Sequence, residues 1–116
     1  MGMADIIVVG GGPAGLSAAL FTAKNDLETV VFDTDETWMH KAHLFNYLGI
    51  ESMDGSEFMD FSREQVADFG VDLHENEEVT ALEGGENGFT ATTDEGEYEA
   101  DYVVLATGAD RTLAVE

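Results

Sequence analysis

Apolar positions along this chain follow two periods, and the changes of period mark the expected elements. Asp5 to Val9 is a short, mostly β-branched apolar run, as in a strand buried on both faces of a parallel sheet. It leads directly into Gly10-Gly11-Gly12-Pro13-Ala14-Gly15, after which Leu16, Ala19, Leu20 and Ala23 recur at helical spacing. Pro13 suits a first helical turn, where its missing N–H has no intrahelical partner, so a helix is predicted from the loop to about Asn25. Thr29 to Phe32 is a second apolar strand that closes on Asp33. Strand, glycine loop, helix, strand and acid together make a βαβ unit.

Residues 34–53 show no clean period and are expected to be loop, with at most a helical turn. Asp54-Gly55-Ser56-Glu57 resembles a capping box, and Phe58, Phe61 or Ser62, Val66 and Phe69 trace one face of a helix over 56–69 that Gly70 closes. Val71 to His74 reads as a short strand. From Glu77 the period shortens to alternation. Val79 to Glu83 and Phe89 to Thr93 flank Asn87-Gly88, and Asp94-Glu95-Gly96 turns the chain into Glu97 to Asp101, a three-stranded antiparallel meander. Tyr102 to Ala106 is a last β-branched strand before Thr107-Gly108-Ala109, and 110–116 is expected to fray. The expected fold is a three-layer, Rossmann-like α/β domain over residues 1–116. It has parallel strands near residues 5, 29, 71 and 102, helices on the faces of the sheet, and a meander at 77–101.

Composition narrows the partners. The 116 residues are 44% apolar, enough for one core, and carry 4 Lys plus Arg against 25 Asp plus Glu, a formal charge of -21. Nucleic acid and anionic membranes would be repelled. The acids are interleaved with patterned apolar segments, which argues for a folded acidic surface of the halophilic kind rather than disorder. With no Cys, these residues hold no disulfide, thiolate metal site or redox thiol pair. No apolar run approaches the roughly 20 residues of a membrane span and the start lacks a secretory pattern, so a cytoplasmic protein is expected.

The candidate chemistry lies in Gly10-x-Gly12-x-x-Gly15. Alone this spacing is weak, but here it follows a strand and opens a helix. The first glycine permits the tight turn, the second lets backbone approach a diphosphate, and the third lets helix pack on strand. Unpaired N–H groups at the helix start then face the phosphates. Asp33 stands at the end of the second strand, at the spacing of an acid that accepts bonds from ribose hydroxyls, and its charge disfavours a 2′-phosphate. His40 and His43 lack companions at metal-ligand spacing and read as loop histidines, so no metal ligand is assigned. His74 reads as structural, Trp38 as a packing or stacking residue, and Met39, Met53 and Met59 as core fillers. Ser17 and Ser56 have no base placed to activate them, and no catalytic side chain is assigned.

Three separated stretches, DIIVVGGGPAGLSAAL over 5–20, Asn46-Tyr47-Leu48-Gly49, and EYEADYVVLATGA over 97–109, resemble the N-terminal FAD segment of the thioredoxin reductase family. The resemblance implies a FAD-binding fold in which Gly10, Gly12, Pro13, Ala14 and Gly15 hold the pyrophosphate and Asp33 the adenosine ribose. It also implies Asn46 near the ribityl chain and flavin ring, backbone around Val79 near adenine, and Thr107-Gly108 beneath the cofactor. The meander favours FAD over NAD. The family's Gly-Gly-Gln loop appears here as Asp35-Glu36-Thr37-Trp38, and its proline as Leu48. Against the family pattern, these residues lack the NADPH domain with its Cys pair and the C-terminal FAD segment. The expected function is therefore the FAD-binding domain of a flavin oxidoreductase without its own disulfide centre. Two alternatives stand beside it: a non-catalytic dinucleotide-binding module completed by a second copy or a partner subunit, and an NAD-binding domain.

Overall fold

The computed structural model describes residues 3–34, 43–44 and 53–106. In chain order the elements are β1 (Met3–Val9), α1 (Pro13–Lys24), β2 (Thr29–Asp33), β3 (His43–Leu44), β4 (Met53–Asp54), α2 (Gly55–Asp68), β5 (Asp72–Glu75), β6 (Val79–Gly85), β7 (Gly88–Thr93) and β8 (Glu97–Leu105). Among the described residues six strands form one sheet in the order β5-β2-β1-β8-β7-β6. The first four are mutually parallel, and β8-β7-β6 run antiparallel.

Two apolar layers explain the arrangement. On one face, Val8 of β1, Val31 of β2 and Val71 pack against Leu16 and Ala19 of α1 and Met59 and Val66 of α2. On the other, Ile7 and Val9 of β1 and Phe32 of β2 pack against Val79, Ala91 and Ala100 from the curled meander. Successive residues of β1 and β2 thus enter opposite cores, which is why these strands are apolar at nearly every position.

Several expectations change. Both described helices lie on the same face, and the meander covers the other. Residues 97–101 and 102–106 do not form two strands. One strand, β8, pairs antiparallel with β7 through Glu97 to Ala100 and parallel with β1 through Glu99 to Leu105. The strand near residue 102 is accordingly central, although among the described residues its length beyond Ala100 pairs with β1 alone. His43 and Leu44 pair antiparallel with Asp54 and Met53, where loop or a helical turn was expected.

On α2 the Asp54 carboxylate accepts from Ser56 N–H as an N-cap, and Gly70 closes the helix at φ +89°, the left-handed conformation expected there. The apolar face follows the expected one at Phe58, Ser62 and Val66 and departs from it elsewhere. Met59 and Val66 are buried, whereas Phe61 and Phe69 are exposed. Ser62 instead donates its hydroxyl to the Phe58 carbonyl. At the hairpin tip, Glu86 and Asn87 separate β6 from β7, and Gly88 takes φ +115° beside the Ala100 carbonyl, where a side chain would be crowded.

Candidate functional site

The glycine loop leaves β1 at the end of the parallel sheet. Gly10 takes φ +112° and donates its N–H to the Phe32 carbonyl at 2.8 Å, fastening the loop to β2. The first intrahelical bond of α1 runs from Leu16 N–H to the Gly12 carbonyl, 3.0 Å. The N–H groups of Ala14 and Gly15 therefore precede the helical ladder, Pro13 has none, and the N-cap Gly12 supplies no side chain to cover them. The helix start thus carries no side-chain cap on its first amides, the arrangement in which an anion can bind.

Gly15 is buried, and a Cβ there would overlap the Gly10 carbonyl and touch Val8 Cγ1 at 3.4 Å. That is the close helix-to-strand approach predicted for the third glycine of the motif. Gly11, not singled out by the motif, proves equally constrained. A Cβ at Gly11 would overlap the Asp33 carboxyl group, so the loop and the acid at the end of β2 lie in direct contact. Ala14 is exposed at the head of α1.

Asp33 is almost wholly buried, and its Oδ2 accepts from Arg63 Nη2 at 3.0 Å. Arg63 Nε lies 4.0 Å from Glu75 Oε1, which belongs to the residue paired with Asp33 across β2 and β5. Arg63 is a residue that the motif does not reveal. It stands 30 positions from Asp33, but it shares the buried stripe of α2 with Met59 and Val66, and a cation on such a stripe requires an acid facing it.

Val79 contributes a buried side chain to the meander core. Just before it, the Glu77 N–H donates to the Asp33 carbonyl at 3.1 Å, which brings the chain leading to Val79 alongside the end of β2. The Ala106 N–H donates to the Val9 carbonyl at 2.8 Å, so the chain leaves β8 beside the start of the glycine loop. Asn46, Thr107 and Gly108 lie outside the described residues, as do Trp38, Met39 and His40. Among the described residues no group of three or more His, Cys, Asp or Glu side chains is arranged to hold a metal ion.

A second polar cluster lies behind β2. His74 presents Nδ1 to Glu77 Oε1 at 2.9 Å and Nε2 to Asp72 Oδ2 at 3.0 Å, while Thr93 donates its hydroxyl to Glu77 Oε2 at 2.6 Å. The imidazole packs against Phe32 and Tyr98, at centroid distances of 4.9 and 5.5 Å. Burial alone would lower the His74 pKa, but bonds and charges from Asp72 and Glu77 together outweigh it and raise the value. Burial would raise Glu77, yet donors from Thr93, His74 and Tyr98 hold it below the usual carboxylate range. Burial and the Glu77 carboxylate push the Tyr98 hydroxyl up. His74 is thus structural, as expected, and joins β5 to the meander.

Residues 4–115 match the pyridine nucleotide-disulphide oxidoreductase family. The chain belongs to that family. It is 36% identical over 116 residues to the thioredoxin reductase of Treponema pallidum, a match covering 91% of this chain and 36% of the relative. It is 28% identical over 123 residues to a ferredoxin–NADP reductase of Levilactobacillus brevis, covering 96% and 37%. The crystal structure of an atypical thioredoxin reductase from Desulfovibrio vulgaris Hildenborough superposes with a TM-score of 0.84 at 35% identity, covering 94% of this chain and 37% of that one. The resemblance to thioredoxin reductases seen in the motifs therefore extends across the fold. The chain spans little more than a third of the length of these relatives. Membership in the family implies a dinucleotide cofactor, and a helix start whose first amides carry no side-chain cap fits one. Among the described residues no helix is long and apolar enough to cross a membrane.

Proposed function

We propose that residues 1–116 form the FAD-binding domain of a thioredoxin reductase-like flavin oxidoreductase; these residues contain no Cys and so supply no disulfide centre themselves. The observation that carries this reading is the contact between Gly11 and Asp33 beneath the open start of α1. It brings the amides of the helix start and the Asp33 carboxylate to the same end of the sheet, which suits a diphosphate and the ribose beside it. In this reading the backbone of Gly10, Gly12, Ala14 and Gly15 holds the diphosphate, Pro13 fixes the first helical turn, and Asp33 accepts from the adenosine ribose. Backbone near Val79 borders adenine, and Asn46, Thr107 and Gly108 contribute on the flavin side. Bound FAD would supply the electron chemistry, and the protein would set its orientation. The meander packed on the second face favours FAD over NAD. The acidic surface fits a cytoplasm of high salt.

A second reading, a dinucleotide-binding module completed by another copy or subunit, is favoured by β8. Beyond Ala100 it pairs with β1 alone among the described residues, and Tyr102 is 69% exposed. The visible spectrum of protein purified in high salt tests both. A bound yellow chromophore reducible by NADH or NADPH supports the oxidoreductase, and a bound flavin that neither reduces supports the module. A colourless protein that rejects FAD and takes NADH overturns the FAD assignment.

A further inference from the structure

Arg63 occupies a position where α2 would ordinarily carry an apolar residue. Met59, Arg63 and Val66 fall on one stripe at spacings of four and three. The two apolar residues are buried, and the Arg63 side chain is only 14% exposed. Replacing a buried ion pair by a well-packed apolar residue is commonly neutral or stabilising, so stability alone gives no reason for a guanidinium here. Its location gives one. Arg63 Nη2 donates to Asp33 Oδ2 at 3.0 Å, on a carboxyl group that also abuts Gly11 of the diphosphate loop. A planar donor on α2 thus engages a carboxylate that lies against the backbone of Gly11. The guanidinium also sets a positive charge beside Asp33 in a chain of formal charge -21.

We propose that Arg63 is a positioning residue for dinucleotide binding. It keeps the Asp33 carboxylate against Gly11 in the orientation that accepts adenosine ribose hydroxyls, and it offsets that charge next to the diphosphate. An ionised carboxylate has about four lone-pair sites, so it can accept from Arg63 and from ribose hydroxyls together. The inference rests on the dinucleotide reading above and adds to it a residue outside the glycine motif.

The test titrates FAD and ADP by calorimetry into the 116-residue chain in high salt. The same titrations are run on the Arg63→Gln, Arg63→Lys and Asp33→Asn variants and on the Asp33→Asn/Arg63→Gln double variant. Thermal melts of each confirm that the titration is run on folded protein. Arg63→Gln should weaken ADP on the order of tenfold, the scale of one charge-assisted hydrogen bond, and Arg63→Lys should recover part of that loss. On the Asp33→Asn background, Arg63→Gln should cost little more, because its effect passes through the carboxylate. If Arg63→Gln melts early but binds ADP as tightly as the unaltered chain, the pair serves stability only and the proposal is overturned. An undiminished loss on the Asp33→Asn background overturns it as well. Failure of the unaltered chain to take up either FAD or ADP would instead remove the dinucleotide reading, and this inference with it.

Discussion

Both ring nitrogens of His74 face carboxylate oxygens, Nδ1 toward Glu77 at 2.9 Å and Nε2 toward Asp72 at 3.0 Å. A neutral imidazole has one donor and one acceptor nitrogen, so only the imidazolium can satisfy both contacts.

Stability should consequently follow pH in a defined way. The His74 pKa is raised above its usual 6.5, so its contribution is complete below about that pH and is lost as pH climbs through the folded-state value. The Glu77 pKa is lowered below its usual 4.5, so its contribution is complete above that pH and is lost as pH falls through the folded-state value. The network therefore contributes most between about pH 4.5 and 6.5. Melting temperatures at fixed salt should decline above this window, and His74→Gln should flatten the decline. An equal slope in the variant would show that another group governs it.

The glycine loop makes a geometric prediction. Alanine at Gly15 would drive its methyl group into the Gly10 carbonyl, and alanine at Gly11 would collide with the Asp33 carboxyl. Backbone cannot yield as a flexible side chain can, so Gly15→Ala should cost about 1–3 kcal/mol by overpacking and should also abolish FAD uptake. Gly85→Ala, with no neighbour in reach of the added methyl group, serves as the control and should leave FAD uptake intact. Denaturant melts paired with FAD titration measure both effects.

Met59 is fully buried between α2 and the parallel sheet, in the cluster of Val8, Leu16 and Val31. Met59→Ala should destabilise the chain by about 2–5 kcal/mol, the range for large-to-small core changes. Phe61→Ala on the exposed side of the same helix should fall within about 0.5 kcal/mol of the parent. A reversed order in chemical denaturation would contradict the assignment of the buried stripe.

Salt should stabilise the fold. On the meander, Glu83 and Glu99 flank Thr90 from the two neighbouring strands, and Glu86 sits at the adjacent tip. Two strand spacings place such acids roughly 10 Å apart, inside the screening length at 0.1 M but well beyond the ~3 Å of 1 M salt. The melting temperature should therefore rise steadily with potassium chloride, and Glu83→Gln/Glu99→Gln should reduce that rise. A melting point indifferent to salt would remove the halophilic reading.

What sequence could reveal divides by range. β1, β2, α1 and the hairpin around Asn87-Gly88 were legible because their signals are local: β-branched runs, a helical spacing after glycines, and a turn pair tolerant of positive φ. Asp33 was legible as well, since it ends a strand at a recognisable spacing from the loop. The partners that hold it were not. Gly11 reads as filler between motif glycines, and Arg63 is 30 residues away, so only the folded chain brings both to the same carboxylate. On α2 the expected face held at Phe58, Ser62 and Val66 but not at Phe61 and Phe69. Phe61 and Phe69 are more hydrophobic than Ser62 or Arg63, but packing against the sheet centred the face on Met59 and Val66 and left those two aromatic rings outside it. β8 was divided in two because its halves answer to different neighbours, β7 first and β1 throughout its later course.

That shared strand bears on how the chain tolerates being cut or lengthened. Ala100 is flanked by Phe89 on one side and Ala4 on the other, so removing the meander would strip a central rung from the parallel ladder as well. The two halves cannot melt as separate blocks, and neither offers a fragment suited to expression by itself. The hairpin tip at Glu86-Asn87 adjoins that splice, with Gly88 against the Ala100 carbonyl, so foreign peptides grafted there would disturb it.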